Sequence, residues 1–337
     1  MGEFELLARV RERLPPTGPR VRLGSGDDAA VTLPDGATAT SVDVLVEGVH
    51  FRRGLASLAQ IGHKALATAL SDLAAMGAEA GEAYVVLGVP PDVDEDECIE
   101  VLDGMAGLAV ATGASLAGGD VSRAAELFLA ITVVGHAASP ESFVSRAGAK
   151  PGDALVLTGE IGGAAAGLHL LNNPNLAADF VLKGAMDGLR AKSAMEALVT
   201  RQLEPTPRLA AGRILASRGA TAMIDLSDGL GGDAHHLAER SGIGLRIDGG
   251  DLPLADGLAA VAAAAGRDPL ELAVGGGEDY ELLATLPPDE LAGATRLLAE
   301  TEALKLTRVG EVVDGKGVEI RLPDGRLLES AGFDQLA

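Results

Sequence analysis

The sequence has no tryptophan, two tyrosines, six phenylalanines and a single cysteine in 337 residues. A core without large rings must be built from Ala, Val and Leu, and a hydrophobic content of 47% is enough to build one. The lone Cys98 can form no disulfide within the chain, which suits a reducing compartment. Basic residues are also scarce. Lys and Arg number 27 against 49 Asp and Glu, giving a formal net charge of −22. That excludes a broad nucleic-acid-binding face and adsorption to anionic membranes, both of which need basic surface. Phosphorylated small molecules stay open, because divalent cations can sit between two sets of anions. No apolar stretch reaches the ~18 uninterrupted residues of a membrane span. The start, Met1-Gly2-Glu3-Phe4-Glu5, has no basic region followed by an apolar run, so it does not read as a signal peptide. A cytoplasmic protein is expected.

At about 100–200 residues per domain, this length predicts two. Apolar spacing predicts helices over 3–14, 58–76 and 94–112 and strands over 38–46, 84–89 and 127–136. A Ser-, Pro- and Gly-bearing stretch, 139–153, reads as a linker between a domain at 1–138 and one at 154–337. Beyond it the pattern predicts strands over 154–157, 220–224 and 280–286 and helices over 162–171, 207–217, 228–240 and 288–302, with short strands last. The expected class is α+β (α/β mixed): an N-terminal mixed sheet with helices, then a C-terminal α/β sandwich. No repeat is strong enough to prove duplication.

The informative residues are acids in apolar, Gly-rich surroundings. Asp27-Asp28 stands in GSGDDAAV, Asp43 in SVDV with His50 seven residues on, and Asp72 inside the helical ALSDLAAMG. Gly118-Gly119-Asp120 follows an apolar stretch, Asp225 and Asp228 bracket Ser227 in IDLSDGL, and Glu278-Asp279 follows three glycines. An unpaired buried carboxylate is costly, so acids among Leu, Ala and Gly are either caps or cation ligands. Hard oxygen ligands without Cys favour Mg²⁺, Mn²⁺ or Ca²⁺ over Zn²⁺, and neighbouring glycines let backbone N–H groups approach an anion.

Each piece also has a structural reading. Asp28 fits a turn cap, Asp72 a solvated helix face, and Asp225 with Asp228 the start of the helix near 228. Gly118-Gly119 fits a turn, His50 a packed histidine, and His235-His236 a helix face. The acid run Asp92–Glu97 reads as a helix start rather than a Ca²⁺ loop, because position six is Glu97 and position twelve Asp103. Gly310 to Lys316 mimics a P-loop, but Gly317 follows where Ser or Thr is required, so Asp314-Gly315 reads as a hairpin turn. Thr158 to Gly163 links a strand to a helix without dinucleotide-binding glycine spacing, yet offers helix N–H groups to an anion.

Seven segments in order, GSGDDAAV (24–31), SVDVLVEGVHF (41–51), ALSDLAAMGA (69–78), AGGDVSR (117–123), SRAGAKPGD (145–153), IDLSDGL (224–230) and GGGEDYEL (275–282), resemble the thiamine-monophosphate kinase family. They span nearly the whole chain. The wider superfamily, which includes aminoimidazole ribonucleotide synthetase, binds ATP in a shared two-domain fold and commonly dimerises through its N-terminal domains. The resemblance implies Mg²⁺ ligands at Asp28, Ser41, Val42, Asp43, Asp72, Asp120, Asp225 and Asp228. It implies ATP contacts at Gly119, Asp120, Arg146 and Ser227, and substrate contacts at His50, Glu278 and Phe333. Asp43, Asp72, Asp120 and Arg146 would carry the catalysis. Val42 stands where Thr is often found, so a metal contact there would use its carbonyl. Phe333 replaces a commoner Trp or Tyr and keeps only the stacking surface.

The implied reaction is direct in-line transfer from ATP to the phosphate of thiamine monophosphate, with several Mg²⁺ ions, no phosphoenzyme and a homodimer as the working unit. Arg146 would add a forked positive charge on the ATP phosphates. Selenophosphate synthetase is disfavoured by the position of Cys98, the hydrogenase-maturation member by the lack of a C-terminal Cys, and aminoimidazole ribonucleotide synthetase by the GGGEDYEL segment. A non-enzymatic acidic cation-binding protein is the rival from another class. It would bind cations tightly without nucleotide.

Overall fold

The computed structural model describes residues 3–26, 28–176 and 188–328. They divide into two compact units, Met1–Leu73 with Ala78–Phe143, and Ala74–Gly77 with Val144–Ala337.

The first unit opens with helix α1 (Glu3–Arg13) and a short antiparallel ribbon of β1 (Val21–Leu23) and β2 (Val31–Thr32). Its sheet has four strands: β3 (Ala37–Val46), β4 (Glu79–Val89), β5 (Ser115–Arg123) and β6 (Phe128–Ala137), in the order β3-β6-β4-β5. β6 runs antiparallel to both neighbours, and β5 runs parallel to β4. The strand period of two shows in β6, where Leu129, Ile131 and Val133 are fully buried and the residues between them are only half-buried. On β3 the opposite face stays open, with Thr38, Thr40, Val42 and Val44 all exposed.

Helices α2 (Leu58–Ala75) and α3 (Glu95–Thr112) supply the rest of this core, through Ile61, Leu66, Leu70, Val101 and Met105. They cross at glycines. A Cβ on Gly62 would lie 1.8 Å from the Val101 carbonyl oxygen, and one on Gly104 would lie 1.9 Å from that of Ala59. The acid run at the start of α3 is a capping box: Asp94 accepts the Glu97 N–H at 2.9 Å, and Glu97 accepts the Asp94 N–H at 2.8 Å.

The second unit is a layered α/β structure on a seven-stranded sheet. Its strands are β7 (Ala154–Thr158), β8 (Ala222–Asp225), β9 (Gly244–Asp248), β10 (Leu282–Leu286), β11 (Leu306–Val313), β12 (Gly317–Arg321) and β13 (Leu327–Leu328), in the order β13-β12-β9-β11-β7-β10-β8. Every residue of β7 and β10 is buried, so both faces are covered there. Leu155 and Leu157 face the core built with α4 (Gly163–Asn172), α5 (Gly188–Leu203), α7 (Leu230–Ser241), α8 (Leu258–Ala264) and α9 (Pro269–Gly275). Helix α6 (Leu209–Ser217) packs on β10 and on α10 (Leu291–Glu302).

Two expectations are overturned. Gly118-Gly119 is no turn but the middle of β5. A side chain on Gly119 would put its Cβ 2.0 Å from the Val85 carbonyl oxygen, so the glycine serves close strand approach. Asp314-Gly315 closes no hairpin, because β9 lies between β11 and β12. Strand β10 also starts two residues later than its apolar pattern suggests, since Glu278 and Tyr280 have left-handed φ values of 67° and 50°.

Candidate active site

The first unit brings three of the expected residues together. Strand alternation turns Ser41 and Asp43 toward α2 and Val42 to the other face, where its side chain is 66% exposed. The Ser41 hydroxyl donates to Asp72 Oδ2. Asp72 is thus drawn to β3 and does not lie on a solvated helix face. Its carboxyl also meets that of Asp43, whose pKa is raised to about 6 by burial first, then by the charge and hydrogen bond of Asp72. Asp43 Oδ2 is buried without a hydrogen-bond partner. A buried orphan carboxylate oxygen beside a second carboxylate fits a hard divalent cation, which would satisfy both. His50 follows β3, and its Nδ1 accepts the Val46 N–H at 3.1 Å, which selects the neutral Nε2–H tautomer. Asp28 is exposed beside the β1–β2 ribbon, and Asp27 lies outside the described residues.

Asp120 and Gly119 stand apart from this group. They lie on β5, at the opposite edge of the sheet from β3. Three strand spacings separate the two edges, about 14 Å. Within one copy of the chain, Asp43 and Asp120 therefore cannot share an ion.

The second unit carries its own acids. Asp225 ends β8 and is 3% exposed, while Ser227 and Asp228 lie in the turn before α7. Asp228 is therefore outside the helix, which starts at Leu230. The turn is tight: Gly229 has φ 100°, and a Cβ there would meet the carbonyl oxygens of Gly276 and Val274 at 2.9 and 3.0 Å. Asp233, 2% exposed, accepts the Asp228 N–H at 3.1 Å. Burial, then the charges of Asp225 and Asp228, push its carboxyl up to about 8. Burial raises Asp228 too, against the nearby positive charges of His236 and Arg146. Asp233 lies outside the seven motif segments. The signal was there, since Asp233 shares the spacing of the buried Leu230, Ala234 and Leu237 on one helix stripe. The carbonyl of Arg146 accepts the Ser241 hydroxyl at 2.9 Å, which anchors this segment to the end of α7.

Glu278 accepts the Gln202 amide at 2.6 Å. Its own N–H donates to the Ser227 carbonyl at 2.9 Å, so the two residues expected to contact substrate and ATP in this unit are hydrogen-bonded neighbours. The helix end after Thr158–Gly163 is not open to an outside anion. Asp279 occupies it, accepting the Gly162 N–H at 2.6 Å and the Ala164 N–H at 3.0 Å. Phe333 lies outside the described residues. Among the described residues no group of three or more His, Cys, Asp or Glu forms a ready metal cage. Pairs of carboxylates that leave room for substrate oxygens are the usual arrangement for Mg²⁺.

Two α/β units, each carrying paired acids, define the class, and the comparisons name it. Residues 26–137 match the AIR synthase related protein N-terminal domain, and 150–323 match its C-terminal domain. The thiamine-monophosphate kinase of Halobacterium salinarum is 36% identical over 309 residues, 92% of this chain and 94% of that protein. That of Escherichia coli K12 is 40% identical over 290 residues, covering 85% and 83%. Among solved structures, the thiamine-monophosphate kinase of Stenotrophomonas maltophilia K279a superposes with a TM-score of 0.81 at 34% identity, covering 97% and 98% of the two chains. AaThiL complexed with AMPPCP and TMP superposes with a TM-score of 0.74 at 31% identity, covering 88% and 86%. The chain belongs to the thiamine-monophosphate kinase family.

Proposed function

We propose that the protein transfers the γ-phosphoryl group of ATP directly to the phosphate of thiamine monophosphate, giving thiamine diphosphate and ADP. The observation that carries the chemistry is the Asp43–Asp72 contact with its orphan oxygen. A kinase joining two polyanions needs cation-binding acids of this kind, and the structures of its relatives include one with AMPPCP and TMP.

Asp43, Asp72, Ser41 and Asp28, with the Val42 carbonyl, would hold Mg²⁺ in the first unit; Asp225 and Asp228 would do so in the second, and Asp120 at the far edge of the sheet. Bound there, Mg²⁺ supplies neutralisation of phosphate charge. Arg146 adds a fixed guanidinium, Ser227 and Gly119 line the ATP phosphates, and His50, Glu278 and Phe333 place the substrate. The acceptor oxygen is already anionic near neutral pH, so no strong general base is required.

The homodimer is part of this reading. Val42, Val44 and Val86 are 66%, 46% and 38% exposed on one apolar sheet face, which a second copy would cover. The cytoplasm is the proposed location: the only thiol is unpaired, and among the described residues no helix is long and apolar enough to cross a membrane.

The test is ADP release with ATP and Mg²⁺, comparing thiamine monophosphate, thiamine and no acceptor. Release that needs thiamine monophosphate supports the reading. Equal release in all three arms, or none, overturns it.

A further inference from the structure

The segment Glu278–Glu281 is held from two sides. Its main chain registers on Leu226–Ser227: the Glu278 and Tyr280 N–H groups donate to the Ser227 and Leu226 carbonyls, each at 2.9 Å, and the Leu226 N–H returns a bond to the Glu281 carbonyl at 2.8 Å. The side chains of Asp279 and Glu281 instead grip the turn between β7 and α4. Asp279 takes the Gly162 and Ala164 N–H groups, one on each oxygen. Glu281 accepts the Thr158 hydroxyl at 2.7 Å and a forked pair of bonds from Arg208 at 2.8 and 2.5 Å.

Between these grips the backbone is strained. Glu278 and Tyr280 are two of the three non-glycine residues with positive φ among those described. Such conformations are unfavourable for residues that carry a side chain and persist only where the surroundings enforce them. Asp279, which stands between them, is anchored by its side chain to a separate element, whereas Glu278 itself is held by its N–H bond to Ser227 and by the Gln202 amide. Two N–H groups at a helix N-terminus, one on each carboxyl oxygen, make a geometric restraint on Asp279.

We propose that Asp279 is a positioning residue for substrate recognition: by docking on the N-terminus of α4 it locks Glu278 in its left-handed conformation and aims it at thiamine monophosphate. This rests on the reading of Glu278 as a substrate contact. The same docking engages the Gly162 and Ala164 N–H groups that the turn would otherwise offer to an anion.

The experiment is steady-state kinetics of Asp279→Asn, Glu278→Gln and the double variant in the full chain, with KM for each substrate and kcat measured separately. Asn keeps the shape but sets an NH₂ against a backbone N–H, so one of the two bonds is lost. Asp279→Asn should raise KM for thiamine monophosphate about tenfold or more, change KM for ATP less than threefold, and add nothing on the Glu278→Gln background. A KM for thiamine monophosphate that stays unchanged in Asp279→Asn while rising in Glu278→Gln overturns the inference alone. An unchanged KM in Glu278→Gln overturns the underlying role of Glu278. Additive effects in the double variant would show that Asp279 acts by another route and sink the proposal. Amide hydrogen exchange of the peptide around Gly162–Ala164 supplies the readout that does not depend on activity. Protection there should fall in Asp279→Asn while β7 stays protected, and undiminished protection would overturn the docking claim.

Discussion

The carboxyls of Asp43 and Asp72 touch on the helix-covered face of the first sheet, one from β3 and one from α2. Two acids in contact repel when both are ionised, and the native state carries that repulsion because the site is arranged for a cation.

Stability should therefore move with pH in an unusual direction. Asp43 is raised in the folded state to about 6. Between about pH 4 and 6 the folded chain keeps a proton that the unfolded chain has released, so this group's contribution to stability falls as pH rises. Its full size is roughly 2–3 kcal/mol. In metal-free buffer Asp43→Asn should match the parent near pH 4 and be more stable at pH 7.5, and Mg²⁺ with nucleotide should reverse that order. Thermal melts at both pH values check it. A variant less stable than the parent in metal-free buffer at pH 7.5 would contradict the account.

Turnover should fail in the same variants. Asp43→Asn and Asp72→Asn are expected to lower kcat by a factor on the order of 10²–10³, the scale on which removal of a preorganised charge acts. ADP release at saturating thiamine monophosphate measures it.

The buried ion pair of Arg208 and Glu281 offers a test of packing. Glu281 is 1% exposed, so Arg208→Met leaves an uncompensated charge. Breaking one partner of such a pair costs about 3–5 kcal/mol, and replacing both with apolar residues returns much of it. Urea denaturation of Arg208→Met and of Arg208→Met with Glu281→Leu should show the single variant as the less stable of the two.

At the α2–α3 crossing, Gly104→Ala forces two helix backbones apart and should cost upwards of about 2 kcal/mol. Gly107→Ala, on the same helix with nothing within 4 Å of the added methyl, should stabilise by about 0.5–1 kcal/mol. Opposite shifts in melting temperature for two substitutions one turn apart would confirm the crossing.

Cys98 is 1% exposed, and burial, then nearby acids, push its thiol up to about 11. It should resist alkylation by iodoacetamide at pH 8 in the native chain and react once the chain is unfolded in urea. Rapid native labelling would show that α3 opens readily.

Much of this was legible in the sequence where one period dominated. The stripe Leu66, Leu70, Leu73 marked α2 to within a residue of its end, and the alternation of 38–46 marked β3. Asp94 and Glu97 announced the cap of α3. What escaped depended on partners distant in sequence. The glycines of β5 look like a turn until Val85 lies against them. The Asp314-Gly315 pair looks like a hairpin until β9 is placed between its flanking strands. Seven motifs named the candidate acids, but not that Asp43 and Asp120 stand at opposite sheet edges. No local pattern states strand order. Nor could spacing show that Asp279 fills the helix end after the Thr158–Gly163 turn.

The insertion of β9 between β11 and β12 bears on how the chain is made. Both neighbours of β9 are encoded some sixty residues or more downstream of it, by Leu306–Val313 and Gly317–Arg321. During synthesis β9 emerges with two bare edges and waits for its partners, and β7 waits likewise for β10 and β11. At about 5–20 residues per second that wait lasts several seconds, during which the first unit is already complete. A nascent chain stalled before Leu306 would therefore present both edges of β9 to chaperones, and one released beyond Arg321 would have them covered by β11 and β12.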